Sequence, residues 1–164
     1  MGFRRFNIEH HFDVKSVVTL YAEWIREGRF KLDPSRNDGK LVTLHDPCNV
    51  VRKAFIDEFP SIVDDARFVL RHIVNDFVEM TPNRENNFCC SGGGGALING
   101  FARARSHYGK VKVDQIKRSG ANYVCTPCVN CFDGIGNLAR EYKDDYEFES
   151  IHLWTLLANA IVLD

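Results

Sequence analysis

Asn122-Tyr123-Val124-Cys125-Thr126-Pro127-Cys128 is a short apolar run that ends in a C-x-x-C pair. Read as a strand over 122–126, it delivers cysteines at its carboxyl end. Leu41-Val42-Thr43-Leu44-His45-Asp46-Pro47-Cys48 repeats the arrangement, with a strand over 41–45, a stop at Asp46-Pro47, and Cys48 just beyond. Around these two stretches the periodicity is helical. Val17, Val18, Tyr21, Trp24 and Ile25 share one face of a helix over 14–25 that Gly28 stops. Further helices are predicted over 49–59, over 61–73 with Ser61 as cap, over 129–142, and from Leu153 onward. A stretch over 96–108 reads as helix, with Gly109 as a break and 110–118 resuming to an αL cap at Gly120. Residues 77–80 and 148–151 supply two more strand candidates.

Short strands alternating with helices predict an α/β fold with a mainly parallel sheet flanked by helices. In such sheets ligands gather beyond the carboxyl ends of the strands, where both outer cysteine groups fall. The 164 residues fit one domain, 1–164, able to bury roughly 70% of its unfolded surface. A net charge of -1 with interspersed acids and bases argues against a nucleic-acid surface. Residues 1–7 are basic but lack the apolar core of a signal peptide, and the apolar run 153–163 is too short to span a bilayer. The expected compartment is the cytoplasm. There, six cysteines point to metal or redox chemistry before disulfides.

Between the two strand-end groups lies Asn87-Phe88-Cys89-Cys90-Ser91-Gly92-Gly93-Gly94-Gly95. Adjacent cysteines rarely bridge one another, and four glycines are retained where side chains would obstruct or φ must be positive. The loop could form a nest of amides around an anionic group, so Gly92, Gly93, Gly94 and Gly95 are candidate cofactor-binding residues. Forty residues separate Cys48 from Cys89, and 34 separate Cys90 from Cys125. Four or five thiolates suit an iron–sulfur site. Four of them would suffice for structural zinc, and disulfides are the third reading. Cys131 is read as a buried helix cysteine outside the set.

A cysteine, a gap of about forty, a cysteine pair before small residues, a gap in the mid-thirties and C-x-x-C together resemble the cysteine-rich CCG domain. His45-Asp46-Pro47-Cys48, the glycine run and Ser119-Gly120-Ala121-Asn122 fit it too. That domain occurs in the heterodisulfide reductase B subunit and related iron–sulfur oxidoreductases, including catalytic subunits of sulfate-reducer membrane complexes. Ser91 departs from it, standing where the family name has glycine. The resemblance implies a Rossmann-like domain with a non-cubane [4Fe-4S] centre held by Cys48, Cys89, Cys90, Cys125 and Cys128. It implies disulfide or thiol redox chemistry on a small-molecule or small-protein substrate. It also implies partners: a second CCG domain or subunit, a ferredoxin-like electron donor, and a membrane complex at whose inner face the chain would sit. Family members carry two such domains, and this chain resembles the C-terminal half alone, a fragment or subunit of a larger protein. His45 is a candidate proton donor to a departing thiolate. The alternatives are a non-catalytic zinc- or cluster-stabilised interaction module, and an electron-transfer subunit of a membrane-associated dehydrogenase. Trp24 and Trp154 are expected in the core.

Overall fold

The computed structural model describes residues 6–9, 11, 15–53 and 62–163. Among them, four strands, β1 (Val42–Leu44), β2 (Phe77–Val78), β3 (Tyr123–Thr126) and β4 (Glu149–His152), form one sheet in the order β2-β1-β3-β4. Every pairing is parallel: Val42 stands opposite both Phe77 and Tyr123, Leu44 opposite Cys125, and Thr126 opposite His152. The fold is α/β, as the alternation of elements predicts. All of β1 is buried, as are the last three residues of β3, which is why these two strands read as continuous apolar runs.

Among the described residues five α-helices cover the sheet: α1 (Val17–Arg26), α2 (Val63–Ile73), α3 (Ala102–Ser119), α4 (Val129–Glu141) and α5 (Leu153–Ala160). Two apolar clusters divide them. One joins Val18 and Ala22 of α1, Ala66 to Ile73 of α2 and Leu153 to Ala160 of α5 with Leu44 and Cys125. The other joins Val113 and Ile116 of α3 and Ile135 and Leu138 of α4 with Val124, Met80, Cys90 and Cys131. Val124 and Cys125, adjacent in β3, therefore belong to opposite faces, as the period of two requires. The chain leaves β1 toward β2 on one flank and returns to β3 on the other. The switch point of this doubly wound sheet lies between β1 and β3, and a crevice forms beyond the ends of two such strands.

The Ser16 hydroxyl caps α1 by accepting from the Val18 amide at 3.3 Å, and Gly28 ends it with φ +69°. Helix α2 begins after Ile62 without a side-chain cap; Ser61 lies outside the described residues, as does most of the helix expected over 49–59. Its start, Asn49–Lys53, is a π-helical turn. Gly120 closes α3 in the left-handed region, as expected.

The reading of α3 itself needs correction. Residues 96–101 form turns, and the helix runs unbroken through Gly109. Gly109 is there for contact: a Cβ would lie 2.4 Å from Leu138 Cδ2 and 2.7 Å from Ser91 Oγ. Trp24 and Trp154 are half-buried at the rim, Trp24 edge-on to Phe30 and Trp154 stacked on His152. No helix among the described residues is long and apolar enough to cross a membrane.

Candidate metal centre

Three segments meet at the switch point. The turn after β1 brings His45 and Cys48, the glycine loop brings Cys89 and Cys90, and the β3–α4 junction brings Cys128 and Cys131. Together they wall a cavity of about 280 Å³. The sulfurs of Cys90 and Cys131 are 3.2 Å apart. One ring nitrogen of His45 lies within 4.8 Å of both. All six cysteines are unbridged.

Of the five cysteines expected to ligate, the cavity gathers Cys48, Cys89, Cys90 and Cys128. Cys125 is not among the lining residues. It is fully buried in the apolar cluster under α1, α2 and α5, and that burial pushes its thiol up. Cys131, set aside on sequence, stands in the cavity instead. The sequence holds two overlapping C-x-x-C pairs, Cys125/Cys128 and Cys128/Cys131. The strand's alternation separates them, because Val124 faces the cysteine side and Cys125 the opposite one. That signal was present in the sequence and was outweighed by spacing.

The four glycines have separate roles. A Cβ on Gly92 would lie 2.0 Å from the Asn130 carbonyl oxygen, and one on Gly134 would lie 2.6 Å from that of Cys90. Loop and helix α4 thus meet backbone to backbone, where only glycine fits. Gly93 and Gly94 line the cavity, and Gly94, Gly95 and Ser91 hold φ of +62°, +78° and +62°. The turn aims amides at sulfur: Ser91 N–H donates to Cys89 Sγ at 3.3 Å and Gly92 N–H to Cys90 Sγ at 3.4 Å. Such donors stabilise thiolates and tune a bound metal.

Two buried charged networks support this site, and neither was read from the sequence. Arg67, 2% exposed, pairs with both oxygens of Asp46 at 2.8 and 2.9 Å and with Glu79 at 2.6 and 3.0 Å. Burial opposes its charge, but these carboxylates outweigh it and hold the guanidinium above its ordinary pKa. Asp46 also accepts from the Arg84 amide at 2.7 Å. The turn that carries Cys48 is clamped from below.

The second network starts at Lys112, which has no exposed surface. Its ammonium donates to Asn87 Oδ1 at 2.5 Å and to Gln115. Burial pushes it down to about 7, against the pull of Cys90 and Asp46. The Asp46 carbonyl can only accept, and it takes an N–H of Asn87 at 3.0 Å, so the Asn87 oxygen faces Lys112 and its NH₂ faces His45 Nδ1, 3.0 Å away. That leaves His45 with its proton on Nε2. Burial, then Lys112 and Arg52, push the imidazole well below its ordinary pKa, so His45 is neutral. It stands beside the sulfurs as an uncharged imidazole rather than a cationic acid.

The thiols themselves are crowded. The Cys131 contact and burial push Cys90 up to about 12, and the Cys90 contact and burial push Cys89 up as well. Sulfurs placed this close resist ionising together unless a cation joins them. Several soft sulfur donors, two sulfur-directed amides and a buried lysine beneath them suit a thiophilic metal.

A doubly wound α/β sheet that gathers thiols and an amide loop at its switch point defines a thiolate metal-binding domain. The chain belongs to the cysteine-rich CCG domain family, whose model matches residues 42–135. It is 33% identical over 118 residues to an Hdr-like menaquinol oxidoreductase iron-sulfur subunit of Archaeoglobus profundus, covering 68% of this chain and 20% of the relative. It is 28% identical over 141 residues to a dihydromethanophenazine:CoB–CoM heterodisulfide reductase subunit of Methanosarcina barkeri, covering 85% and 32%. An EtfAB:quinone oxidoreductase of Syntrophomonas wolfei is 30% identical over 87 residues, covering 53% and 11%. The chain therefore spans a third or less of the length of these relatives.

Proposed function

We propose that this chain is an iron–sulfur redox domain of a heterodisulfide-reductase-like complex, reducing or oxidising a disulfide/thiol pair at a non-cubane [4Fe-4S] centre. The observation that carries the reading is the convergence of five cysteine sulfurs from three segments on one cavity at the switch point. Cys48, Cys89, Cys90 and Cys128 of the expected set would hold the centre, with Cys131 in the place expected for Cys125. When bound, such a group supplies single electrons and an iron site that can take one sulfur of a disulfide. The overall change consumes two electrons and two protons and yields two thiols. The chain's own residues fix the sulfurs, donate amide hydrogen bonds to them from Ser91 and Gly92, and place the neutral imidazole of His45 beside them. Gly93 and Gly94 keep one wall bare for a substrate.

The domain would work as one piece of a larger assembly, with a second CCG domain and a ferredoxin-like electron donor. Relatives named for menaquinol and quinone favour a second reading: electron transfer within a membrane-associated complex, with no disulfide substrate.

Anaerobic reconstitution followed by iron and sulfide analysis tests the centre. Cys90→Ala and Cys131→Ala should lose the broad visible absorption and the iron, while Cys125→Val, which keeps the core apolar, should retain both. Retention in Cys131→Ala with loss in Cys125→Val would reverse the ligand assignment. A colourless chain containing zinc would sink the iron reading altogether.

A further inference from the structure

Among the described residues two long cationic side chains are buried, Arg67 and Lys112, and they are partnered differently. Arg67 lies between two carboxylates, those of Asp46 and Glu79. Lys112 has no carboxylate partner among the described residues. Both acceptors of its ammonium are neutral amide oxygens, those of Asn87 and Gln115. Neither amide is free to turn away, because the NH₂ of Gln115 donates to the Pro82 carbonyl and that of Asn87 to the Asp46 carbonyl. The ammonium is therefore held in place by groups that do not neutralise it.

A buried charge is costly unless an opposite charge meets it. Of the groups that favour the charged lysine, Cys90 acts most strongly, ahead of Asp46, Cys89 and Cys131. Asp46 already has both oxygens on Arg67, at 2.8 and 2.9 Å. That leaves the three cysteines. Cys90 and Cys131 share one apolar cluster with Val113 and Ile116, which flank Lys112 on the inward side of α3. Five cysteine sulfurs line the cavity, and as thiolates they outnumber the charges of one divalent cation, so the filled site is anionic.

We propose that Lys112 is the internal counter-ion of the thiolate centre, completing the charge of the filled site from beneath the cysteine pair. The proposal rests on the reading of the cavity as a thiolate metal centre. It adds a residue that selects for an occupant leaving net negative charge on the sulfurs. In the metal-free chain the lysine's charge is unmet and burial disfavours it; in the filled chain the thiolates meet it.

The test uses the full chain, reduced and metal-free, with cadmium as the probe. Its affinity is read from cadmium–thiolate absorption against a competing chelator. Lys112→Gln keeps a hydrogen-bond donor for Asn87 and removes the charge, and Lys112→Met removes both. Each should weaken cadmium at least about tenfold, a modest scale for one charge facing a desolvated site. Lys117→Gln, the same charge change on the exposed side of α3, should move the affinity less than about twofold. Wild-type affinity in Lys112→Gln, or equal losses in Lys112→Gln and Lys117→Gln, overturns the proposal. The wild type supplies a readout that a purely structural lysine would not move, and it decides even where a variant does not fold. With carbon-13-labelled lysine, the ε-carbon of Lys112 at about pH 8 should move from its neutral to its charged resonance position when cadmium is added. No movement overturns the proposal as well. Cadmium requires neither iron nor sulfide, so failure here leaves the iron analysis standing, and a failed iron analysis leaves this result standing.

Discussion

Lys112 occupies a position that penalises its own charge. It shares the inward stripe of α3 with Ser106, Gly109, Val113 and Ile116, and burial lowers its pKa from 10.5 to about 7. The unfolded chain therefore holds a proton on this lysine between about pH 7 and 10.5 where the folded chain does not. Stability from this group is lowest below pH 7 and rises with pH through that window. In metal-free protein, wild type should gain up to about 2 kcal/mol relative to Lys112→Met between pH 7 and 8.5, read by urea denaturation at each pH. Cys90, pushed up to about 12, works in the opposite direction, but only above the ordinary thiol range. A flat difference between the two proteins would mean that Lys112 is not desolvated. Residues 106, 109, 112, 113 and 116 recur at helical spacing, but Gly109, read as a break, hid the stripe's continuity. What could not be read was that its partner would be Asn87, 25 residues away, and through it His45. Arg67 and Asp46 pose the same problem, since no local pattern announces a pair that only the fold brings together.

Elements were more legible than contacts. All four strands and the positions of α1, α4 and α5 follow from apolar runs and stop signals, because these respond to local chemistry. The start of α3 did not, because residues 96–101 have helix-compatible composition and yet must turn to bring the glycine loop against α4. Glycine at 109 reads as a breaker from propensity alone, while its reason is Leu138 and Ser91 across the packing interface. The glycine run was read as one amide loop, and the structure divides its roles. Gly92→Ala should therefore cost roughly 1–3 kcal/mol in urea denaturation of the metal-free chain, since its methyl would meet the Asn130 carbonyl, which is backbone and cannot swing aside. Gly93→Ala should stay within about 0.5 kcal/mol, because nothing lies within 4 Å of its Cβ and its φ is not positive. A Gly93→Ala variant less stable than Gly92→Ala would refute the interlock.

At the scale of the molecule, the sheet separates two cores, and the cysteines are unequally shared between them. Cys90 and Cys131 belong to the cluster under α3 and α4, whereas Cys125 belongs to that under α1, α2 and α5. A metal held by the cavity would join the turn after β1, the glycine loop and the first turn of α4. It would stabilise the folded state by mass action, about 2.7 kcal/mol at a hundredfold excess over its dissociation constant. That gain should be local in origin, because α1, α2 and α5 pack on each other and on the sheet without any cavity cysteine. Amide hydrogen exchange of metal-loaded and chelator-treated protein should then differ by region. Protection should fall on chelation at 87–95 and 128–131 and along the facing side of α3, and persist in α2 and α5. The Asp46 amide region should also keep its protection, since Arg67 clamps that turn without help from metal. Uniform loss across both faces would mean that the metal holds the whole fold. No loss at 87–95 would mean that the glycine loop and its cysteine pair do not take part in binding, and the three-segment site would fall with it.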